Sequence, residues 1–148
     1  MIDPEQLAMI PYLLLALGLG LVVGMEREFV GKEAGMKTYS LVTFGAALFA
    51  LLSFDPNFSD PSRIISQIVI GIGFLGGGLI IVHENKVHGL TTAAGLWAMA
   101  GVGVAAGMRY TTLAVAGTVL VLCVLAGLRK LHLEERIHKF AGVKDDLK

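Results

Sequence analysis

Five long stretches of this chain contain no Asp, Glu, Lys or Arg: residues 6–25, 38–54, 64–82, 89–108 and 110–128. Each is about the length of one membrane crossing, since a hydrocarbon core of about 30 Å takes roughly 20 helical residues, within a range of about 17–25. Lipid offers no partner to open backbone groups, and runs this long do not alternate as barrel strands do, so the stretches are expected to be helices. The expected fold is an all-α membrane protein, a bundle of five transmembrane helices within residues 1–128. A tail follows at 129–148, where Leu133, Ile137 and Phe140 recur at helical spacing among Glu134, Glu135, Arg136 and Lys139, the pattern of a short amphipathic helix. Eight residues after Phe140 cannot bury a second core.

Composition agrees with lipid as the solvent. Charged residues make up 16% of the 148, against roughly 25% in soluble domains. Lys+Arg 12 and Asp+Glu 12 cancel, so there is no electrostatic footprint for nucleic acid. One cysteine, Cys123, excludes an intrachain disulfide.

The first run is expected to stay as a helix and not to be cleaved, because Asp3 and Glu5 precede it without any Lys or Arg. Pro4 and Pro11 both offer helix starts. A start near Pro11 carries about 20 residues to Val30 and puts Glu26, Arg27 and Glu28 inside the inner leaflet; a start near Pro4 leaves them at the water boundary. Five crossings separate the termini. One side then holds Arg27, Lys32, Lys37, Lys86 and the tail's six basic residues, and the other only Arg63 and Arg109, which orients the N-terminus outward and the C-terminus to the cytoplasm. Between the second and third runs, Asp55-Pro56-Asn57 and Asp60-Pro61-Ser62 are turn sequences, with Asp60 or Ser62 suited to capping the third helix.

Several constellations are candidates for function. Glu26, Arg27 and Glu28 end the first run, and ionisable groups at such a depth usually pair or line water. Two carboxylates around one arginine serve either as an interfacial stop with an ion pair or as an excess charge that meets a cation or a partner's basic residue. Gly71, Gly73 and Gly76 match the dinucleotide fingerprint literally, but within an apolar span that match carries no nucleotide chemistry. Glycines four apart, namely Gly20/Gly24, Gly73/Gly77 and Gly103/Gly107, are read instead as close helix contacts. Gly76, Gly77 and Gly78 in succession can also break the third helix. Thr91 and Thr92 open the fourth run, where a threonine can cap the helix and where the helix start faces the same side as Glu26 and Glu28. His83 and His88, five apart with Glu84 between, lack the spacing of one helical face, so no metal ligand set is assigned. Arg63 can pair with Asp55 or Asp60, and Trp97 at mid-span is read as core packing. Nucleophile-elbow, paired-cysteine and Walker sequences are all missing, so no enzymatic activity and no cofactor are expected.

The ordered motifs Gly20 to Glu28, Ala34 to Val42, Asp60 to Arg63 leading to Gly71–Gly78, and Gly89 to Trp97 together resemble the MgtC/SapB family of bacterial inner-membrane proteins. Two departures are visible: Lys37-Thr38 where the family often has Arg-Thr, and Gly77 where it often has alanine. Lysine lacks the planar fork for a bidentate anion contact. Longer relatives carry a cytoplasmic regulatory domain after the fifth span, and the sequence stops where that domain would begin. The resemblance implies a multi-pass protein of the bacterial inner membrane with a role in magnesium limitation and stress adaptation, virulence-associated in pathogens. In some relatives that role runs through inhibition of the membrane ATP synthase. By motif it marks Glu26, Arg27, Glu28, Lys37, Asp60, Arg63, Thr91 and Thr92 as the functional polar set. The leading expectation is a modulator of another membrane protein such as the ATP synthase, in the bilayer and as a homo-oligomer; the alternative is a magnesium or proton carrier or channel built from several copies.

Overall fold

The computed structural model describes residues 4–55, 60–83 and 86–127. Among these, a turn of helix at Pro4–Leu7 leads into five principal helices: α1 (Ile10–Phe29), α2 (Met36–Leu52), α3 (Pro61–Gly77), α4 (Leu90–Gly107) and α5 (Thr111–Leu122). A π-helical turn, Cys123–Gly127, extends α5. The amphipathic tail expected at 129–148 and most of the Asp55–Asn57 turn lie outside the described residues.

Two of the helices, counting Pro4–Phe29 as one, are long and apolar enough to cross a membrane by length and composition; α2, α3 and α5 are shorter apolar helices. The helix boundaries depart from the uncharged runs in two instructive places. At the first run the helix goes on through Glu26, Arg27 and Glu28 to Phe29, because local capping, not charge, stops it. Gly31 has φ 69°, its N–H donates to the Glu28 carbonyl, and the Lys32 N–H donates to the Arg27 carbonyl, which closes a Schellman motif. The 20 residues of α1 thus span about 30 Å, with the charged triplet in the last turn.

At the third run, the glycines at 76–78 end the helix. Residues 78–80 turn, and Ile81–His83 pairs antiparallel with Lys86–His88 in a two-stranded hairpin, β1 and β2. The last part of the expected third span is therefore not helical. Gly89 closes the hairpin onto α4 with φ 82°, and a Cβ there would collide with the Leu79 carbonyl, so only glycine fits this corner.

The packed body is α1, α2 and α4, with α2 in the middle, touching both others extensively. Tyr39, Leu96, Met99 and Val23 are its largest fully buried apolar side chains. Backbones approach closely through glycine: a Cβ on Gly20 would sit 2.8 Å from Ser40 Cα, one on Gly24 2.6 Å from Met36 Cα, and one on Gly107 2.9 Å from Ala50 Cβ. Buried hydroxyls mostly bond back one turn, Thr43 Oγ1 to the Tyr39 carbonyl at 2.8 Å and Thr118 Oγ1 to the Ala114 carbonyl at 2.9 Å. Their polarity is satisfied inside their own helices. Helix α4 ends in a second Schellman closure with Arg109 at φ 65°, and the Arg109 guanidinium lies 5.8 Å from the Tyr12 ring centre, tying this corner to the start of α1.

Helix α3 is different. Only Ile72 and Gly76 are buried along its 17 residues. Trp97 on α4 is 56% exposed, which corrects its assignment to the core: the helix face that carries it is turned away from α2.

Candidate functional site

Where α1 ends and α4 begins, one buried cation organises the polar groups. Arg27 is 3% exposed, although it stands on the last turn of a helix flanked by acids. Its Nε donates to Glu26 Oε2 at 2.5 Å and its Nη2 to Glu26 Oε1 at 2.8 Å, so the guanidinium grips the carboxylate with two parallel bonds. The same Nη2 donates to the Leu125 carbonyl at 3.4 Å. Leu125 lies in the π-helical turn that extends α5. The first and fifth helices are thereby joined through one side chain.

Glu28 does something else. Its Oε2 accepts the Met36 N–H at 3.0 Å, which places a carboxylate on the open N-terminus of α2. The residue at the cap position is Gly35, which has no side chain to offer. A Cβ on Gly35 would meet Glu28 Oε2 at 2.6 Å, so this glycine is what lets the acid in. The arrangement satisfies a helix amide and matches the positive end of the helix dipole. The two acids thus do not share the arginine: one pairs with it and the other caps a helix.

Tyr39 completes the cluster. It is fully buried, and its hydroxyl donates to the Thr92 carbonyl at 3.4 Å, joining α2 to the start of α4. Gly95, one turn along α4, leaves room for the ring: a Cβ would be 2.5 Å from the Tyr39 hydroxyl. Neither threonine caps α4. The cap position belongs to Gly89, without a side-chain bond, while Thr92 is buried and Thr91 exposed. The start of α4 is held here by Tyr39 of α2 and not by either threonine side chain. Tyr39 lies inside an uncharged run and carries no charge to single it out. The signal that could have found it is its place two residues after Lys37 in the motif, opposite a glycine.

The remaining members of the expected polar set are elsewhere. Lys37 is exposed on the first turn of α2 and forms no ion pair among the described residues. Asp60 and Arg63 stand at the other end of the bundle, about 25 Å along α3 from Gly77. Asp60 caps α3, accepting the Ser62 N–H at 3.0 Å and the Ser62 hydroxyl at 2.6 Å. Hydrogen bonding to Ser62 holds its carboxyl below the usual 3.8, and the nearby Arg63 charge acts in the same direction. Ser40 Oγ is buried and has no hydrogen-bond partner among the described residues. Groups of three or more acidic, His or Cys residues able to hold a metal are absent among the described residues.

Of the glycines assigned to packing or to a break, Gly20, Gly24, Gly103 and Gly107 sit against neighbouring backbone, and Gly76 lies against Ala93. Gly77 and Gly78 are where α3 stops. Gly71 and Gly73, like Gly77, have nothing within 4 Å of where a side chain would begin. Among the described residues they make no close helix contact.

Comparison with known proteins gives a consistent picture. A profile of the MgtC family matches residues 13–133. The chain is 45% identical over 122 residues to Protein MgtC of Salmonella typhimurium, covering 80% of this chain and 53% of that protein. It is 42% identical over 112 residues to a protein of Escherichia coli K12 named putative magnesium transporter YhiD, covering 70% and 52%. An uncharacterized protein of Haemophilus influenzae is 38% identical over 131 residues, covering 81% and 55%. The chain spans about half the length of the curated relatives it matches. No solved structure matches it.

Proposed function

The chain belongs to the MgtC family, and on that premise we propose that it is a multi-pass protein of the bacterial inner membrane, acting in magnesium homeostasis by binding and modulating another membrane protein. In this reading all five helices cross the bilayer, the N-terminus faces outward and the C-terminus the cytoplasm, and a proton-driven ATP synthase is the first partner to test. The names of the relatives, one of them a putative magnesium transporter, support the link to magnesium.

The observation that carries the partner reading is the outward stripe of α3. Ile70, Gly73, Phe74 and Gly77 follow one another at helical spacing; Ile70 is 64% and Phe74 85% exposed, and both glycines are bare. Between helices in lipid, association rests on close van der Waals approach, which small residues beside a large one allow. The buried Arg27 cluster serves this surface indirectly by fixing α1, α2 and the end of α5 as a rigid frame.

A second reading, a magnesium or proton carrier built from several copies, is supported by the position of Glu26 in the last turn of a membrane-length helix. A cation entering there has to displace Arg27, which already occupies both carboxylate oxygens. One experiment with two arms tests these. A photo-crosslinker replacing Phe74 in living cells is expected to capture a different membrane protein; recovery of self-adducts alone would overturn the partner reading. Purified protein in liposomes is expected to give no magnesium or proton flux above empty vesicles, and a flux abolished by Glu26→Gln would establish the carrier instead.

A further inference from the structure

Between α2 and α3 lies a groove of about 950 Å³, floored by Ala100 of α4. Its walls are apolar, with Leu41 and Phe49 on α2 and Ile64, Ile68 and Leu75 on α3. Gly45 and Gly71 widen it, since neither has an atom within 4 Å of where a Cβ would stand. Along α3 the apolar lining from Ile64 to Leu75 is about 16 Å long, close to half of a hydrocarbon core of about 30 Å. That is the depth of one leaflet.

Among the described residues, one end of the groove is polar. Asp60 and Arg63 line it there, three residues apart on one helix, with Gln67 one further turn in. Both are exposed, and they do not close an ion pair with each other. The groove therefore offers one cation and one anion side by side above a single-leaflet apolar slot. The complement is a molecule with an anionic group and an ammonium group a few ångströms apart, over acyl chains. Resting on the membrane reading above, we propose that this groove is a binding site for a zwitterionic phospholipid with a primary amine, phosphatidylethanolamine. Its phosphate lies on Arg63, its ammonium on Asp60 and its ester region beside Gln67. A guanidinium suits phosphate geometry, and a primary ammonium donates hydrogen bonds to a carboxylate where a quaternary one cannot.

The test uses the full chain with a reporter tryptophan, Phe49→Trp, in a Trp97→Phe background, reconstituted in phosphatidylcholine vesicles. A fixed fraction of brominated phosphatidylethanolamine, phosphatidylcholine or phosphatidylglycerol is then added as quencher. Phosphatidylethanolamine is expected to be preferred about three- to five-fold, the ratio that exposed charge contacts supply. Arg63→Gln and Asp60→Asn, the latter keeping a good helix cap, are each expected to reduce that preference to the phosphatidylcholine level. Equal quenching by the three lipids, a preference for phosphatidylglycerol, or a preference that survives both substitutions would overturn the proposal. So would crosslinking between copies through Phe49→Cys, which puts a second chain in the groove. Flotation separates this from the underlying reading: protein that does not float with the vesicles fails both, and protein that floats without lipid preference fails this one alone.

Discussion

Gly103–Gly107 on α4 and Gly73–Gly77 on α3 have the same spacing in equally apolar surroundings, and the fold uses them in opposite ways. A Cβ on Gly103 would collide with the Thr43 carbonyl and come within 2.9 Å of Ala46 Cβ, while one on Gly73 would meet nothing. The difference teaches that a small-xxx-small pattern marks where a helix can be approached closely, not what approaches it. On α4 the approaching element is α2 of the same chain. On α3 none of the described residues approaches it.

The sharpest break in that contrast is expected at the frame that holds the packed side together. Replacing Arg27 by Met takes the two guanidinium bonds away from the half-buried Glu26, and stability measured by thermal or chaotrope unfolding in detergent should fall by about 3 kcal/mol. The double variant Arg27→Met with Glu26→Gln should recover a large part of it. If the single variant unfolds like the parent, the Arg27 side chain is not what holds this end of the bundle together.

The glycines themselves give a difference of sign. Gly103→Ala should destabilise by about 1–3 kcal/mol through overpacking against backbone. Gly73→Ala should stabilise the isolated protein by about 0.5–1 kcal/mol, because alanine loses less freedom in a helix interior and meets no obstacle. Destabilisation at both positions would mean that α3 is packed more tightly than its open surroundings indicate.

A smaller effect is expected at the cap of α2. Glu28→Ala should cost about 1 kcal/mol, and Glu28→Gln only part of that, since an amide oxygen still accepts the Met36 N–H. Amide hydrogen exchange in residues 36–38 reads the loss directly; unchanged exchange there would refute the capping role.

The mildest concerns the far end of α3. Asp60 has a native pKa below its ordinary 3.8, so its cap is at full strength above 3.8 and is lost as pH falls through the lowered native value. Exchange at the Ser62 amide should quicken over that acidic window relative to the intrinsic rate. In Asp60→Asn the same amide should show no such step. A step that persists in the asparagine variant would assign it to another group.

How much of this could be read from the chain follows from what each feature depends on. The caps at Asp60 and the Gly31 region are local, set by residues within one turn, and the glycine pairs announce close approach by spacing alone. Tyr39 could not be recognised as part of the polar cluster, because its role comes from Thr92, more than fifty positions away. Glu26 and Glu28 look equivalent around Arg27 as well; two positions along the helix turn them about 200° apart, so that one pairs with Arg27 and the other meets the start of the second helix.

The sequence alone determined the helical character, the number and rough extent of the apolar runs, and the position of the charged triplet, because these rest on hydropathy and period, which are properties of neighbours. It also carried the family, through motifs in a fixed order. Tertiary structure alone decided which glycines are filled and which are bare, that the third run turns into a hairpin after Gly77, and that Arg27 is buried and reaches the Leu125 carbonyl. Those outcomes depend on which helix faces come together, and facing is a relation between distant segments that no local pattern encodes.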